Sequence, residues 1–129
     1  MEEKIKVRNY KDLKVWKLGI EIVDSIYDLT RNFPAEERYG LASQMQRAAV
    51  AIPSNIAEGF ARQHSKEYQQ FCYIALGSCA ELETQIVIAA RRHYLADDFK
   101  TKLTDMIEHE SRMLTNLIKS IKGKRENGF

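Results

Sequence analysis

The residues able to do chemistry are few and poorly spaced for it. A di-iron carboxylate bundle takes its ligands from Glu-x-x-His pairs that face inward. None of His64, His93 and His109 has a glutamate three residues before it. Glu108, His109 and Glu110 are consecutive, but neighbouring side chains on a helix diverge by about 100°, so the three cannot converge on one ion. There is no glycine-rich phosphate loop, no CxxC pair and no nucleophile elbow. Cys72 and Cys79 stand seven residues apart, about 10.5 Å along a helix axis and too far to bridge to each other. Both fall on an apolar stripe and read as buried structural thiols. No catalytic residue, cofactor or metal is expected, and the chain is read as a non-enzyme.

What remains is charge. Arg47, Ser54 and Glu58 share one stripe of a segment whose only charge between Tyr39 and Ala57 is Arg47. Glu110 lies near the centre of another apolar arc. A buried, unpaired charge costs several kcal/mol. These four residues are therefore expected to form an interhelical or intersubunit polar network; a ligand-binding or catalytic role is the competing reading. Basic residues gather twice. Lys4, Lys6, Arg8, Lys11, Lys14 and Lys17 stand against Glu2, Glu3 and Asp12, and Lys119, Lys122, Lys124 and Arg125 close the chain. Arg8, Lys11, Lys14, Lys17, Lys119, Lys122, Lys124 and Arg125 are the candidate contacts to a nucleic-acid backbone, whose binding would be salt-dependent and tolerant of sequence. The bland alternative is a solvated rim of lysines.

Four amphipathic segments must position these groups. The first covers about 10–31. Leu13, Trp16, Ile20, Val23 and Tyr27 form one helical stripe and Val15, Leu18, Ile22, Ile26 and Leu29 a second. Together they span roughly 200°, about twice what a surface helix needs, so a second chain is the simplest cover for the remainder. Asn9 and Asp12 resemble a capping box with Asp in place of Glu. Phe33-Pro34 ends this helix, and Pro34-Ala35-Glu36-Glu37 is a candidate opening for the next. The second helix, over 41–60, has its core face at Leu41, Met45, Ala48, Ile52 and Ile56, and a kink is expected near Ala49 because Pro53 cannot donate to it. Ser65 is placed as the N-cap of the third helix. Its seam Tyr68, Cys72, Ala75, Cys79, Leu82, Ile86 and Ala89 has the 3.5-residue spacing of a bundle. Arg91, Arg92 and His93 close it. Asp97-Asp98 opens the fourth helix, and 122–129 reads as a frayed basic tail.

No segment alternates with period two. The fold expected is all-α: an up-down-up-down antiparallel four-helix bundle, its second helix kinked at Pro53. The 129 residues make one domain, given the usual ~100–200 per domain. Its core covers about 10–122, between a short charged N-terminal arm and a basic C-terminal tail. Hydrophobic residues at 44% and charged residues at 29% exclude a disordered chain. Six glycines and two prolines leave too few turns for a many-stranded β protein. Twenty basic against eighteen acidic residues give +2, which by itself demands no nucleic-acid partner. No uninterrupted apolar run approaches the ~20 residues that span a bilayer, and two cysteines make no disulfide scaffold. A cytoplasmic protein without membrane association is expected.

Three stretches carry a resemblance. They are Tyr10-Lys11-Asp12-Leu13-Lys14-Val15-Trp16; Phe33-Pro34 with Glu37-Arg38-Tyr39-Gly40-Leu41 and Gln44; and Arg47 through Gly59, with the specific string Ile52-Pro53-Ser54-Asn55-Ile56-Ala57-Glu58-Gly59. Ala75-Leu76-Gly77-Ser78 and Glu81-Leu82-Glu83-Thr84-Gln85 fit as well. Over 10–94 the chain resembles the four-helix bundle proteins encoded in intervening sequences of bacterial 23S rRNA genes. The resemblance implies a ring-like homopentamer without established enzymatic activity. Relatives of that family include the accessory protein of diversity-generating retroelements, a basic barrel thought to bind nucleic acid and a reverse transcriptase. RNA or DNA, and a protein such as a reverse transcriptase, are thus the implied partners. The alternative kept beside it is a structural or protein-interaction scaffold without nucleic-acid affinity.

Overall fold

The computed structural model describes residues 9–127, with side chains described as far as 121. Among the described residues the chain forms four α-helices and no strand: α1 (Lys14–Thr30), α2 (Leu41–Phe60), α3 (Ser65–Arg91) and α4 (Asp97–Asn127). The expected all-α four-helix architecture is the one observed. Each helix packs on its neighbours in sequence, and α1 also packs on α4.

The first expected helix is divided. Asn9 Oδ1 accepts a hydrogen bond from the Lys11 amide at 2.9 Å and caps a three-residue 3-10 turn, Tyr10–Asp12. Leu13 is then extended (φ −72°, ψ 129°), and α1 begins at Lys14 without a side-chain cap. An Asn bonded two residues ahead closes a tight local turn rather than opening a longer helix, so Asp12 plays no capping-box part. Similarly, Ala35–Glu37 is an isolated 3-10 turn and not the start of α2. Ser65 is the first residue of α3; His64 holds the cap position, with no side-chain bond. The α4 backbone continues to Asn127, past the point where a frayed tail was expected.

Helix directions follow from the two links at one end. Phe33, after α1, packs its ring on Tyr94, after α3, with centroids 4.9 Å apart. Glu37, before α2, uses both carboxylate oxygens: Oε1 accepts from the Leu41 amide at 3.1 Å and Oε2 from the Tyr94 hydroxyl at 2.9 Å. These bonds pull the Glu37 acid below the usual carboxylate range and raise Tyr94. The α1–α2 and α3–α4 links therefore share an end, and the helices alternate in direction as in an up-down-up-down bundle. α3 stops in a Schellman motif: the Tyr94 amide reaches the Ala89 carbonyl and the His93 amide that of Ala90, both at 3.0 Å. His93 takes the left-handed position usually given to glycine, at φ 64°.

The third-helix seam is buried throughout, as are Val15, Ile22, Ile26 and Leu29 of α1 and Leu103, Ile107, Leu114, Ile118 and Ile121 of α4. α2 supplies Met45, Ala48, Ala49, Ile52 and Ile56. Small residues let its backbone come close to its neighbours. A Cβ added at Gly59 would stand 2.8 Å from Phe71 Cβ and 3.1 Å from the Tyr68 carbonyl oxygen. Pro53 does not break α2, which continues on both sides of it; its ring is buried against Gly19 of α1.

Candidate nucleic-acid interface and apolar groove

The end opposite Tyr94 collects the start of α1, the α2–α3 link and the end of α4. Gln69 Nε2 donates to the Ile118 carbonyl there at 3.1 Å, which sets the start of α3 beside the last turns of α4. Lys11, Lys14, Lys17 and Lys119 are exposed at this end. Lys14, Lys17 and Lys119 make no ion pair among the described residues, and Lys11 lies 6.0 Å from the centroid of the Tyr10 ring. Arg62 joins them in space but is committed elsewhere: it donates to Glu58 Oε2 at 2.6 Å and stacks over Phe71 at 4.9 Å. Arg8 and the side chains of Lys122, Lys124 and Arg125 lie outside the described residues.

The four-residue polar network is not formed within the chain. Arg47, Ser54 and Glu58 are on the outer face of α2, exposed, and Glu58 pairs with Arg62 one turn on rather than with another helix. Glu110 alone is buried, with no accessible surface. Neither carboxyl oxygen has a hydrogen-bond partner among the described residues. Its Oε2 lies 3.2 Å from where a Cβ on Gly19 would stand, beside Pro53. Glycine at 19 is therefore what makes room for the carboxyl group. Burial holds the Glu110 acid up at about 8, so the group is carried largely neutral at pH 7. The stripe arithmetic put Arg47, Ser54 and Glu58 together correctly but could not tell which way the stripe faces. Small residues flank the Met45, Ile52 and Ile56 face of α2 on both sides, and Arg47 is the single charge between Tyr39 and Ala57, so no charge pattern marks the outer face.

The two stripes of α1 part company. Val15, Ile22, Ile26 and Leu29 enter the core, whereas Trp16, Ile20 and Val23 are half-buried and Tyr27 is 44% exposed. With Pro53 and Val50 of α2 they line a groove between α1 and α2 that continues past Arg47 and Ser54. Sequence reasoning marked the wide arc of α1 without locating its second wall on α2.

Both thiols are buried, and burial pushes Cys72 and Cys79 up to about 12, for Cys79 against the opposing pull of a hydrogen bond with Ser111. No cluster of three His, Cys, Asp or Glu suited to a metal occurs among the described residues. By length and composition α3 is apolar enough to cross a membrane, although Glu81 and Glu83 interrupt its apolar run. Its seam is buried, and the helix packs on α2 and α4.

An antiparallel bundle with one lysine-rich end and a polar-poor interior defines a class of helical proteins, not a reaction. Comparison narrows it: the model of the 23S rRNA-intervening sequence protein family matches residues 11–116, and the chain belongs to that family. Among solved structures the chain is similar to a protein of unknown function from the S23 ribosomal protein family of Bacteroides thetaiotaomicron. The two share 21% sequence identity at a TM-score of 0.76, over 81% of this chain and 95% of that one, a likeness of fold. A comparison with curated proteins returns no match.

Proposed function

We propose that the protein is a non-enzymatic, oligomeric binding module that holds the phosphate backbone of RNA on its lysine-rich end. The observation that carries this reading is the gathering of Lys11, Lys14, Lys17 and Lys119 at one end of the bundle, exposed and with no carboxylate paired to them among the described residues. Each lysine brought to a phosphate releases condensed counterions, so affinity falls steeply with salt. One +2 chain is a weak binder; a homopentamer, implied by the family resemblance, repeats the end five times, and linked weak contacts multiply. Cytoplasmic location fits such a role.

The test is fluorescence anisotropy of nuclease-treated protein with short structured RNA and duplex DNA at low and physiological salt. Binding with a steep salt slope, lost in the triple variant Lys11→Glu, Lys14→Glu, Lys17→Glu while the assembly mass stays unchanged, supports the module. Unchanged RNA affinity in that variant rejects the site. The apolar groove between α1 and α2 favours a second reading, a protein-interaction scaffold. Absence of binding at low salt selects it.

A further inference from the structure

Two apolar faces of the bundle are left without cover by the described residues. One is the groove between α1 and α2. The other is the outer face of α3, where Tyr73 is 59% exposed and Ile74, Val87 and Ile88 between 43% and 49%. Gly77 sits one turn along that face from Tyr73, with nothing within 4 Å of where its Cβ would stand, so the ridge has a flat step there. Both faces run along a helix for several turns: Trp16 to Tyr27 covers about 16 Å and Tyr73 to Ile88 about 22 Å.

Each face holds one charge. Among the described residues Arg47 is the sole charged one lining the groove, and it has no partner there. On α3, between Glu67 and Arg91 the only charges are Glu81 and Glu83. Glu83 is turned toward α4, where burial and the Glu108 carboxylate raise its acid. Glu81 is exposed, with only a long 3.4 Å contact from Gln85 of its own helix. A symmetric pairing of the α3 face about its centre would set Glu81 against Glu81, and a symmetric pairing of the groove would bring two arginines and no carboxylate into one apolar surround. Pairing groove with ridge sets opposite charges together inside an apolar surround, where like-charge contacts are heavily disfavoured.

We propose that the α1–α2 groove of one copy seats the outer face of α3 of the next, with Arg47 paired to Glu81 of the partner subunit. This rests on the oligomeric reading above and adds its geometry. The two surfaces are different patches of the chain, so the contact is head-to-tail, and a head-to-tail contact closes into a ring when its rotation allows. The lysine-rich end stays free, because the contact runs along the sides of the bundle.

The experiment is size-exclusion chromatography with light scattering over a dilution series, on the full chain, with far-UV circular dichroism confirming the helix content of each variant. Both residues are at the surface, so Arg47→Glu and Glu81→Arg should leave the bundle folded. Each single variant is expected to raise the concentration at which the assembly dissociates by about tenfold or more, and the double variant to restore it. Single variants with wild-type assembly, or a double variant that stays dissociated, overturn the pairing while leaving the oligomer standing. A wild-type chain that is monomeric throughout overturns the oligomeric reading and this one with it. So does a monomer that floats with phospholipid vesicles, which would put a lipid surface on α3.

Discussion

Glu110 should make the protein less stable as pH rises through the neutral range. Its carboxyl group is fully buried among Gly19 of α1, Pro53 of α2 and the Cys79 side of α3, with no hydrogen-bond partner among the described residues. The ordinary value of 4.5 becomes about 8 in the fold. Between those two values the folded state keeps a proton that the unfolded chain has released. Folding then takes up a proton, and stability falls with pH, at about 1.4 kcal/mol per pH unit. The contribution is complete below about 4.5, is lost progressively up to about 8 and is flat beyond. From pH 5 to pH 7 the loss is about 3 kcal/mol, and over the whole window about 3–5 kcal/mol. Glu110→Gln has nearly the same shape and cannot ionise. It should match the wild type within about 1 kcal/mol at pH 5 and exceed it by about 3–5 kcal/mol at pH 8. The assay is urea unfolding followed by circular dichroism at pH 5, 6, 7, 8 and 9, at one fixed protein concentration so that assembly contributes equally. With a urea slope of about 1–3 kcal/mol per M, a 3 kcal/mol change moves the midpoint by about 1–3 M. The difference between wild type and variant isolates Glu110 from every exposed carboxylate. A wild-type midpoint that is level or rising from pH 5 to pH 8, or a Glu110→Gln protein with the wild-type slope, refutes the reasoning.

Other consequences follow from the packing. Gly59→Ala forces a methyl group into the 2.8 Å gap against Phe71 and the backbone of α3, and should cost about 1–3 kcal/mol in urea unfolding; an unchanged midpoint contradicts that close approach. His93→Gly relieves a left-handed residue at φ 64° and should stabilise the α3–α4 link by about 0.5–1 kcal/mol, seen as a higher melting temperature. Cys72 and Cys79, buried and pushed up to about 12, should resist iodoacetamide at pH 8 in the native protein and react with it in urea. Rapid native labelling, read by intact-mass spectrometry, would show that the α3 seam opens.

The seam of α3 was legible in full because every residue at 3.5-residue spacing from Tyr68 to Ala89 is apolar or a thiol, and each is buried. One reading of the spacing is possible there. On α1 two apolar stripes compete, and the spacing alone cannot rank them. The second stripe enters the core because Gly19 lies on that side, where α4 and Pro53 approach closely. Helix starts were the least legible feature. At Asn9 the side chain closes a bond two residues ahead, and at α2 the cap is supplied by Glu37 from the preceding turn, four residues before Leu41. Neither choice is visible in composition.

The polar residues show the same limit from the other side. Charge on an apolar arc was read as a group in need of partners, and for Glu110 burial is indeed complete. The partner it finds is a proton. That answer depends on how far the surroundings desolvate the carboxyl group, which a glycine on one helix and a proline on another decide jointly. Arg47 has the opposite history. Its stripe looked like an interior one because α2 carries almost no other charge, yet the chain's own helices leave it in an open groove. Burial on three sides of α2 and an uncovered fourth side produce the same sequence pattern as burial all round. A charge-poor outer face that the chain itself does not cover is therefore where an assembly contact and an internal contact are indistinguishable in sequence. Exchanging the charges at Arg47 and Glu81 asks the question directly.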